Sequence, residues 1–272
     1  MDPAARYNEM VLARASQQER LNNPFDESYW ERYAPGYRFD PHREPEPLLV
    51  AALRYLNSNH DVIEVGGGAG RIGLPFALRA RSLLNVEPSA AMREQFRLAV
   101  TDFGVDNATV SASRWPTEED VQADLVITAD VTYFISDIEA FVRALHAAAR
   151  HRVIIFTWTV PPPNVNANLF EVAFGEPEEP SPGFRELLPV IWELGIAPDV
   201  QVVDEPFAWP AMRVSSDDDA VRLALDELGL PSGHPAGERI RPHLDDLFDR
   251  SQQYRLKWRT RSNGMLITWR TD

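Results

Sequence analysis

Short apolar runs alternate with helix-length amphipathic stretches through the middle of the chain. Residues 61–65 form a strand-sized run that ends in glycines, Gly66 to Gly70, and a helical pattern follows to about residue 80. Residues 82–86 predict a second strand, and 89–103 a helix that Ser89 is suited to cap. Runs at 108–112, 124–128 and 152–158 predict three more strands, with a helix over 137–150 before the last. Strands and helices alternating at this spacing imply right-handed crossovers and a parallel sheet. The expected fold is α/β: a Rossmann-like, mostly parallel seven-stranded sheet with helices on both faces, an N-terminal helical and aromatic segment, and helical insertions that form a lid.

The flanks read differently. Residues 1–47 are polar and aromatic, with Phe25, Tyr29, Trp30, Tyr33, Tyr37 and Phe39 close together, and Pro41, Pro45 and Pro47 precede a helix-like run at 48–57. A sixth strand is expected at 200–207. Two insertions, at about 160–199 and 215–253, interrupt the pattern, the second with helical runs at 217–228 and 237–252. The chain closes with alternating residues at 254–260, then Asn263-Gly264 and an apolar run at 265–270, which predicts a hairpin. This reading divides the chain into an N-terminal cap segment, 1–47, and one domain, 48–272, whose insertions form a lid.

Composition narrows the chemistry. The chain has no cysteine, which excludes disulfides, thiolate zinc sites, iron–sulfur clusters and a cysteine nucleophile. Its six histidines are scattered without metal-ligand spacing, so no metal is expected. A net charge of −14 argues against nucleic acid and anionic membranes as partners and favours a small molecule. No run approaches the roughly 20 apolar residues of a membrane span, and residues 1–20 lack a signal-peptide core, so a cytoplasmic location is expected. Nothing in the pattern speaks to oligomeric state.

Ligands of open α/β sheets bind at the carboxyl ends of the strands, near the point where strand order reverses. The glycine cluster lies at such an end, where missing Cβ atoms let the backbone turn and approach a ligand. Gly68-x-Gly70-x-x-Gly73, with Glu87 nineteen positions after Gly68, satisfies a dinucleotide fingerprint. The wider sequence points elsewhere. Glu64-Val65-Gly66-Gly67-Gly68-Ala69-Gly70 resembles the first motif of class I S-adenosylmethionine (SAM) dependent methyltransferases. Asn85-Val86-Glu87-Pro88-Ser89-Ala90-Ala91-Met92 resembles that family's acidic-Pro-Ser segment, and Ala123 to Ile127, after Trp115-Pro116, its fourth strand. The matches fall in the family's order over residues 60–158.

The resemblance implies SAM as methyl donor, S-adenosylhomocysteine as product, and a soluble transferase acting on a small-molecule acceptor. It assigns Gly66, Gly68 and Gly70 to the methionine end, Glu64 to loop support or the amino group, and Glu87 to the ribose hydroxyls. Pro88 and Met92 border the same site. Where family members often carry an acid for the adenine amino group, this chain has Ser111 beside Ala112, a departure. Trp115 is either an adenine wall or plain core. Asp130 follows the fourth strand, where cofactor and acceptor contacts lie, and is the candidate to orient or deprotonate an acceptor, with Tyr133 beside it. The alternative for Asp130 is a helix cap or an ion pair with an arginine.

Loops over a scaffold carry specificity, so Tyr29, Trp30, Tyr33, Tyr37 and Trp158 are candidate acceptor contacts. The spacing of residues 30, 33 and 37 equally fits an amphipathic helix packed on the core. Arg255, Lys257, Arg259 and Arg261 alternate with Tyr254, Leu256, Trp258 and Thr260, predicting a strand with one basic face, either an anion attractor or a guarded edge. Two other functions stay open at this point: an NAD(P)-dependent oxidoreductase, and a catalytically silent SAM-binding protein.

Overall fold

The computed structural model describes residues 2–21, 23, 26–118, 120–206, 214–249, 255–257 and 261–272. Helix α1 (Pro3–Arg20) and α2 (Glu27–Tyr33), the latter followed by a 3-10 turn at Ala34–Tyr37, precede α3 (Pro47–Leu53). The alternating core then runs β1 (Asp61–Val65), α4 (Gly73–Ala77), β2 (Ser82–Val86), α5 (Ala90–Phe103), β3 (Ala108–Ser111), β4 (Ala123–Ala129), α6 (Ile138–Ala148) and β5 (Ala149–Trp158). Helices α7 (Ala167–Phe174) and α8 (Phe184–Glu193) lead to β6 (Asp199–Pro206). Helices α9 (Asp217–Glu227), α10 (Ala236–Ile240) and α11 (Leu244–Leu247) lead to β7 (Phe248–Asp249), β8 (Arg255–Leu256) and β9 (Asn263–Arg270).

The main sheet has seven strands in the order β3-β2-β1-β4-β5-β9-β6. Strands β1 to β5 pair in parallel, while β9 runs antiparallel between β5 and β6. The expected mostly parallel, Rossmann-like sheet is therefore present. Strand order reverses between β1 and β4, which opens a crevice above their carboxyl ends.

Both sheet faces are covered, which is why the strands read as continuous apolar runs. On one face Ile63, Val65, Val126, Val153 and Ile155 pack against Tyr7 of α1, Phe141 of α6 and Ile191 of α8. On the other, Val62, Leu83, Leu125, Ile127 and Ile154 pack against Leu49 of α3, Phe76 of α4 and Phe96 of α5. The insertions build a third cluster, in which Leu169, Ala224, Ile240 and Leu247 are buried together.

Several expectations need correction. Asn263 and Gly264 form no hairpin turn; they open β9, Gly264 lying opposite Trp158. A glycine stands there because Leu48 lies 3.0 Å from where its Cβ would be. The run at 237–252 is broken: Pro242 removes a backbone donor, and α10 and α11 are separated by a 3-10 turn, Arg241–His243. Position 252 itself lies outside the described residues. So do Phe207, expected to end the sixth strand, Phe25 of the aromatic group, and Tyr254, Trp258, Arg259 and Thr260 of the basic strand. Within that strand Arg255–Leu256 pairs with Phe248–Asp249 as a separate ribbon, and Lys257 Nζ donates to the Asp245 carbonyl at 2.7 Å.

The sequence reading expects a helical and aromatic N-terminal segment without singling out helix α1. Asp2 caps it, accepting from the Ala4 and Ala5 amides, and Pro3 occupies its first turn. Its buried stripe is Ala4, Tyr7, Val11, Arg14 and Gln17, and the two polar members conceal the apolar period. Arg14 donates to the Glu179 carbonyl at 2.7 Å, and Gln17 to the Pro177 carbonyl at 2.8 Å, so the first insertion supplies partners to both. Among the described residues no helix is long and apolar enough to cross a membrane.

Tyr7 is fully buried and its hydroxyl donates to the Thr132 carbonyl at 2.8 Å. Tyr7→Phe leaves that carbonyl buried without a donor and lowers stability by about 1–2 kcal/mol, read as a lower urea midpoint at unchanged m-value. An unchanged midpoint would mean that water replaces the hydroxyl.

Candidate active site

The glycine loop that joins β1 to α4 rests on a carboxyl group. Glu64, on β1, is 1% exposed, and its Oε2 has no hydrogen-bond partner. Gly67 and Gly73 both approach it so closely that a Cβ at either position would collide with the carboxyl. Burial pushes the Glu64 carboxyl up to about 8. The structure thus puts Glu64 beneath the loop as its support. Asn85, fully buried on β2, grips the loop from the side: its Oδ1 accepts from the Gly67 amide at 3.1 Å and its Nδ2 donates to the Gly68 carbonyl at 3.0 Å.

Glu87 ends the segment after β2 and faces the same loop. One carboxylate oxygen accepts from the Gly68 amide at 2.9 Å, the other from the Ser89 amide at 2.7 Å. Each oxygen keeps a second lone pair. Burial raises the Glu87 carboxyl, against the two amides that favour its charge. Gly68 has φ +54°, and a Cβ there would make only ordinary contact with Met92 at 3.6 Å. Gly68, unlike Gly67 and Gly73, is not crowded by the protein, so this stretch of loop backbone is the one open to a ligand.

Asp130 directly follows β4, across the crevice. Its φ of +60° is the one positive value outside glycine among the described residues. Such a residue is strained by about 1–2 kcal/mol, least for Asp and Asn. Its Oδ1 accepts from Trp158 Nε1 at 2.8 Å and from the Tyr133 hydroxyl at 3.5 Å; its Oδ2 accepts from Arg71 Nη2 at 3.2 Å. The Tyr133 hydroxyl also pairs with Thr157 Oγ1 at 2.9 Å. Burial raises the Asp130 carboxyl, with Arg71, Trp158 and Tyr133 opposing it. Burial also holds the Tyr133 hydroxyl protonated. Asp130 is therefore paired with an arginine, as one expectation had it, and it also stands beside Tyr133 and Trp158.

Trp30 and Tyr37 pack with Ala34 against Ala69 and Met92, over the glycine loop. Tyr33 turns to the second insertion, its hydroxyl donating to Asp226 at 3.4 Å, while Tyr29 packs on Gly229 of that insertion and keeps a hydroxyl hydrogen bond with Tyr37. Ser111 Oγ pairs with Ser113 Oγ at 2.9 Å, while Ala112 and Pro88 are exposed. Trp115 packs against the core on the α1 face, with its Nε1 buried and unpartnered.

Three residues enter that the sequence reading did not name. Arg71 carried one usable signal, its position directly after the last loop glycine at a strand end. Glu205 on β6 accepts from the Leu48 amide at 2.6 Å; burial raises its carboxyl, and Arg71 and Asp130 are among the charges it feels. Glu27 accepts from Ser89 Oγ and the Ala91 amide, contacts that span more than sixty positions and leave no local pattern.

A family model described as lysine methyltransferase matches residues 49–159. No curated protein matches the chain in sequence. In structure, the YcgJ protein of Bacillus subtilis is similar with 15% identity and a TM-score of 0.57, covering 82% of this chain and 98% of its own. A Bacillus halodurans protein described as a candidate methyltransferase gives 12% identity and 0.55, again over 82% and 98%. A SAM-dependent methyltransferase of Geobacter sulfurreducens, solved with S-adenosylhomocysteine, gives 18% and 0.49 over 84% and 93%. The first two share the fold of this chain.

The Glu64 carboxyl makes stability depend on pH. Folded, it holds its proton up to about 8; unfolded, it releases it near 4.3. Its contribution is full below the lower value and is lost as pH rises through the higher one. Between about pH 6 and about pH 8 the wild-type should lose about 2 kcal/mol more than Glu64→Gln, measured by urea unfolding. Equal losses in both would show that Glu64 is ionised in the folded protein.

Proposed function

We propose that this chain, a class I SAM-dependent methyltransferase by its matched core and its fold, methylates a small-molecule acceptor at the carboxyl edge of β4. The observation that carries the reading is Asp130, held at positive φ between Arg71, Trp158 and Tyr133 across the crevice from the glycine loop. The donor set fits the adenosyl group: Glu87 offers lone pairs to two hydroxyls, and Gly68 leaves backbone exposed beside it. SAM, when bound, supplies a methyl group on a positively charged sulfur, so the leaving group departs neutral.

The protein's own work is then alignment, exclusion of water and the handling of one proton. Glu64 and Asn85 fix the loop, and Glu87 fixes the loop to the edge of β2. Trp158 and Arg71 hold the Asp130 carboxylate in one orientation. Asp130 accepts the proton that an O–H or N–H acceptor gives up as it is methylated. Tyr37 and Trp30 cover the loop, which favours an acceptor small enough to enter beneath them.

A second reading is an amine of the lysine type. The description of the matched family favours it, and so does a second carboxylate, Glu205, near Asp130. Both readings use the same base.

Calorimetry with S-adenosylhomocysteine, beside NAD⁺ and NADP⁺, tests the cofactor: micromolar binding of the first alone is expected, with loss in Glu87→Ala. Dinucleotide binding in its place would sink the methyltransferase reading. S-adenosylhomocysteine formation from SAM with phenols, carboxylic acids, small amines and lysine peptides then tests the acceptor. Asp130→Asn is expected to lower that rate by roughly 10²–10⁴-fold with product affinity kept. Turnover on peptides alone would select the second reading, and an unchanged rate in Asp130→Asn would remove Asp130 as the base.

A further inference from the structure

The residues that would meet the nucleoside are nearly closed to solvent. Glu87 is 6% exposed, Met92 4% and Ala69 3%. The cover is α2 with the Ala34–Tyr37 turn, whose Ala34, Trp30 and Tyr37 pack directly on Ala69 and Met92. A ligand reaching Glu87 from solvent has to displace this segment, so what holds it down controls access.

At the start of α2 the fastening is a carboxylate, while Arg38 pairs with Asp102 of α5 just after the turn and the Tyr33 hydroxyl donates to Asp226. Glu27, the first residue of α2, accepts from Ser89 Oγ at 3.0 Å and from the Ala91 amide at 3.1 Å with the same Oε1. Ser89 is also the cap of α5, its Oγ accepting from the Met92 amide at 3.2 Å, and its own amide donates to Glu87 at 2.7 Å. One serine thus ties a carboxylate of the cover to the carboxylate at the ribose position. A charged acceptor on two donors makes a stronger link than a neutral one.

The two carboxylates also repel. Glu27 is among the groups that raise the Glu87 carboxyl, after burial and against the amides of Ser89 and Gly68 and the nearby Arg93.

We propose that Glu27 is the latch of a lid made of α2 and the Ala34–Tyr37 turn, and that it sets how fast the nucleoside of the cofactor enters and leaves. This rests on the cofactor assignment above. Removing the latch raises both rates together, because it opens the empty and the filled protein alike. Affinity then changes little, which separates a latch from a ligand contact or a plain helix cap.

The test is stopped-flow tryptophan fluorescence with S-adenosylhomocysteine as probe, Trp30 lying in the lid. Association and dissociation are expected to rise about tenfold in Glu27→Ala, with Kd within about threefold of wild-type. Glu27→Gln keeps an acceptor oxygen and should stay within about threefold in both rates. Ser89→Ala removes one of the two donors and leaves the Ala91 amide, so it should raise both rates by a smaller factor than Glu27→Ala; the melting temperature of each variant separates faster exchange from poor folding. Unchanged rates in both alanine variants, at retained melting temperature, would overturn the latch. So would faster dissociation with unchanged association, which would make Glu27 a simple affinity contact. Failure of the wild-type to bind the probe would overturn the cofactor assignment and the latch together, and it is seen before any variant is made.

Discussion

A carboxyl group buried under a glycine loop governs the geometry of this molecule's working edge. Glu64 leaves no room for side chains at Gly67 and Gly73, so the backbone has to pass close above it and turn into α4 at once. Because the loop lies that low, the Gly68 amide comes within reach of Glu87 and the Gly67 amide within reach of Asn85. Three polar side chains, Glu64 on β1, Asn85 on β2 and Glu87 just after it, therefore define one loop. Desolvation makes Glu64 costly as an anion, and its raised carboxyl is the physical expression of that cost. A protein that retains such a group is using it to hold a shape.

Across the crevice, Asp130 is held by a different device. Its backbone is strained, and a strained residue persists only where its surroundings over-determine it. Trp158, Arg71 and Tyr133 bind its side chain, while α1 fixes the segment that follows: Tyr7 holds the Thr132 carbonyl and Asn8 Oδ1 accepts from the Ile138 amide at 3.3 Å. The N-terminal region thus divides its labour. Helix α1 belongs to the core and braces the acid, whereas α2 covers the loop.

What the sequence made legible follows from the range of each interaction. Strands β1 to β5 and helices α5 and α6 are visible because their burial is periodic and local. The glycine loop, Glu87 and Asp130 are visible because they sit at strand ends, where α/β sheets bind ligands. Helix α1 is not singled out because Arg14 and Gln17 occupy core-facing positions, and their partners lie far away in the first insertion. Asn263-Gly264 misleads because the glycine answers to Leu48, a residue far away in the chain. Arg71, Glu205 and Glu27 act through partners on other elements, and no window of sequence contains both halves of those contacts.

The two halves of the site are linked through the cover itself. Tyr37, at the end of the segment that Glu27 fastens, feels the charges of both Asp130 and Arg71. It shares a hydroxyl hydrogen bond with Tyr29, which packs on Gly229 of the second insertion. A movement of α2 that frees Glu87 therefore also shifts a hydroxyl beside Asp130 and loosens the contact with the insertion. If α2 and its following turn move as one body, the proposed latch would couple exchange of the nucleoside to access of the acceptor through the chain from Glu27 to Tyr37. The scaffold supplies the loop and the acid, and the additions to it pack over the loop and brace the segment after the acid.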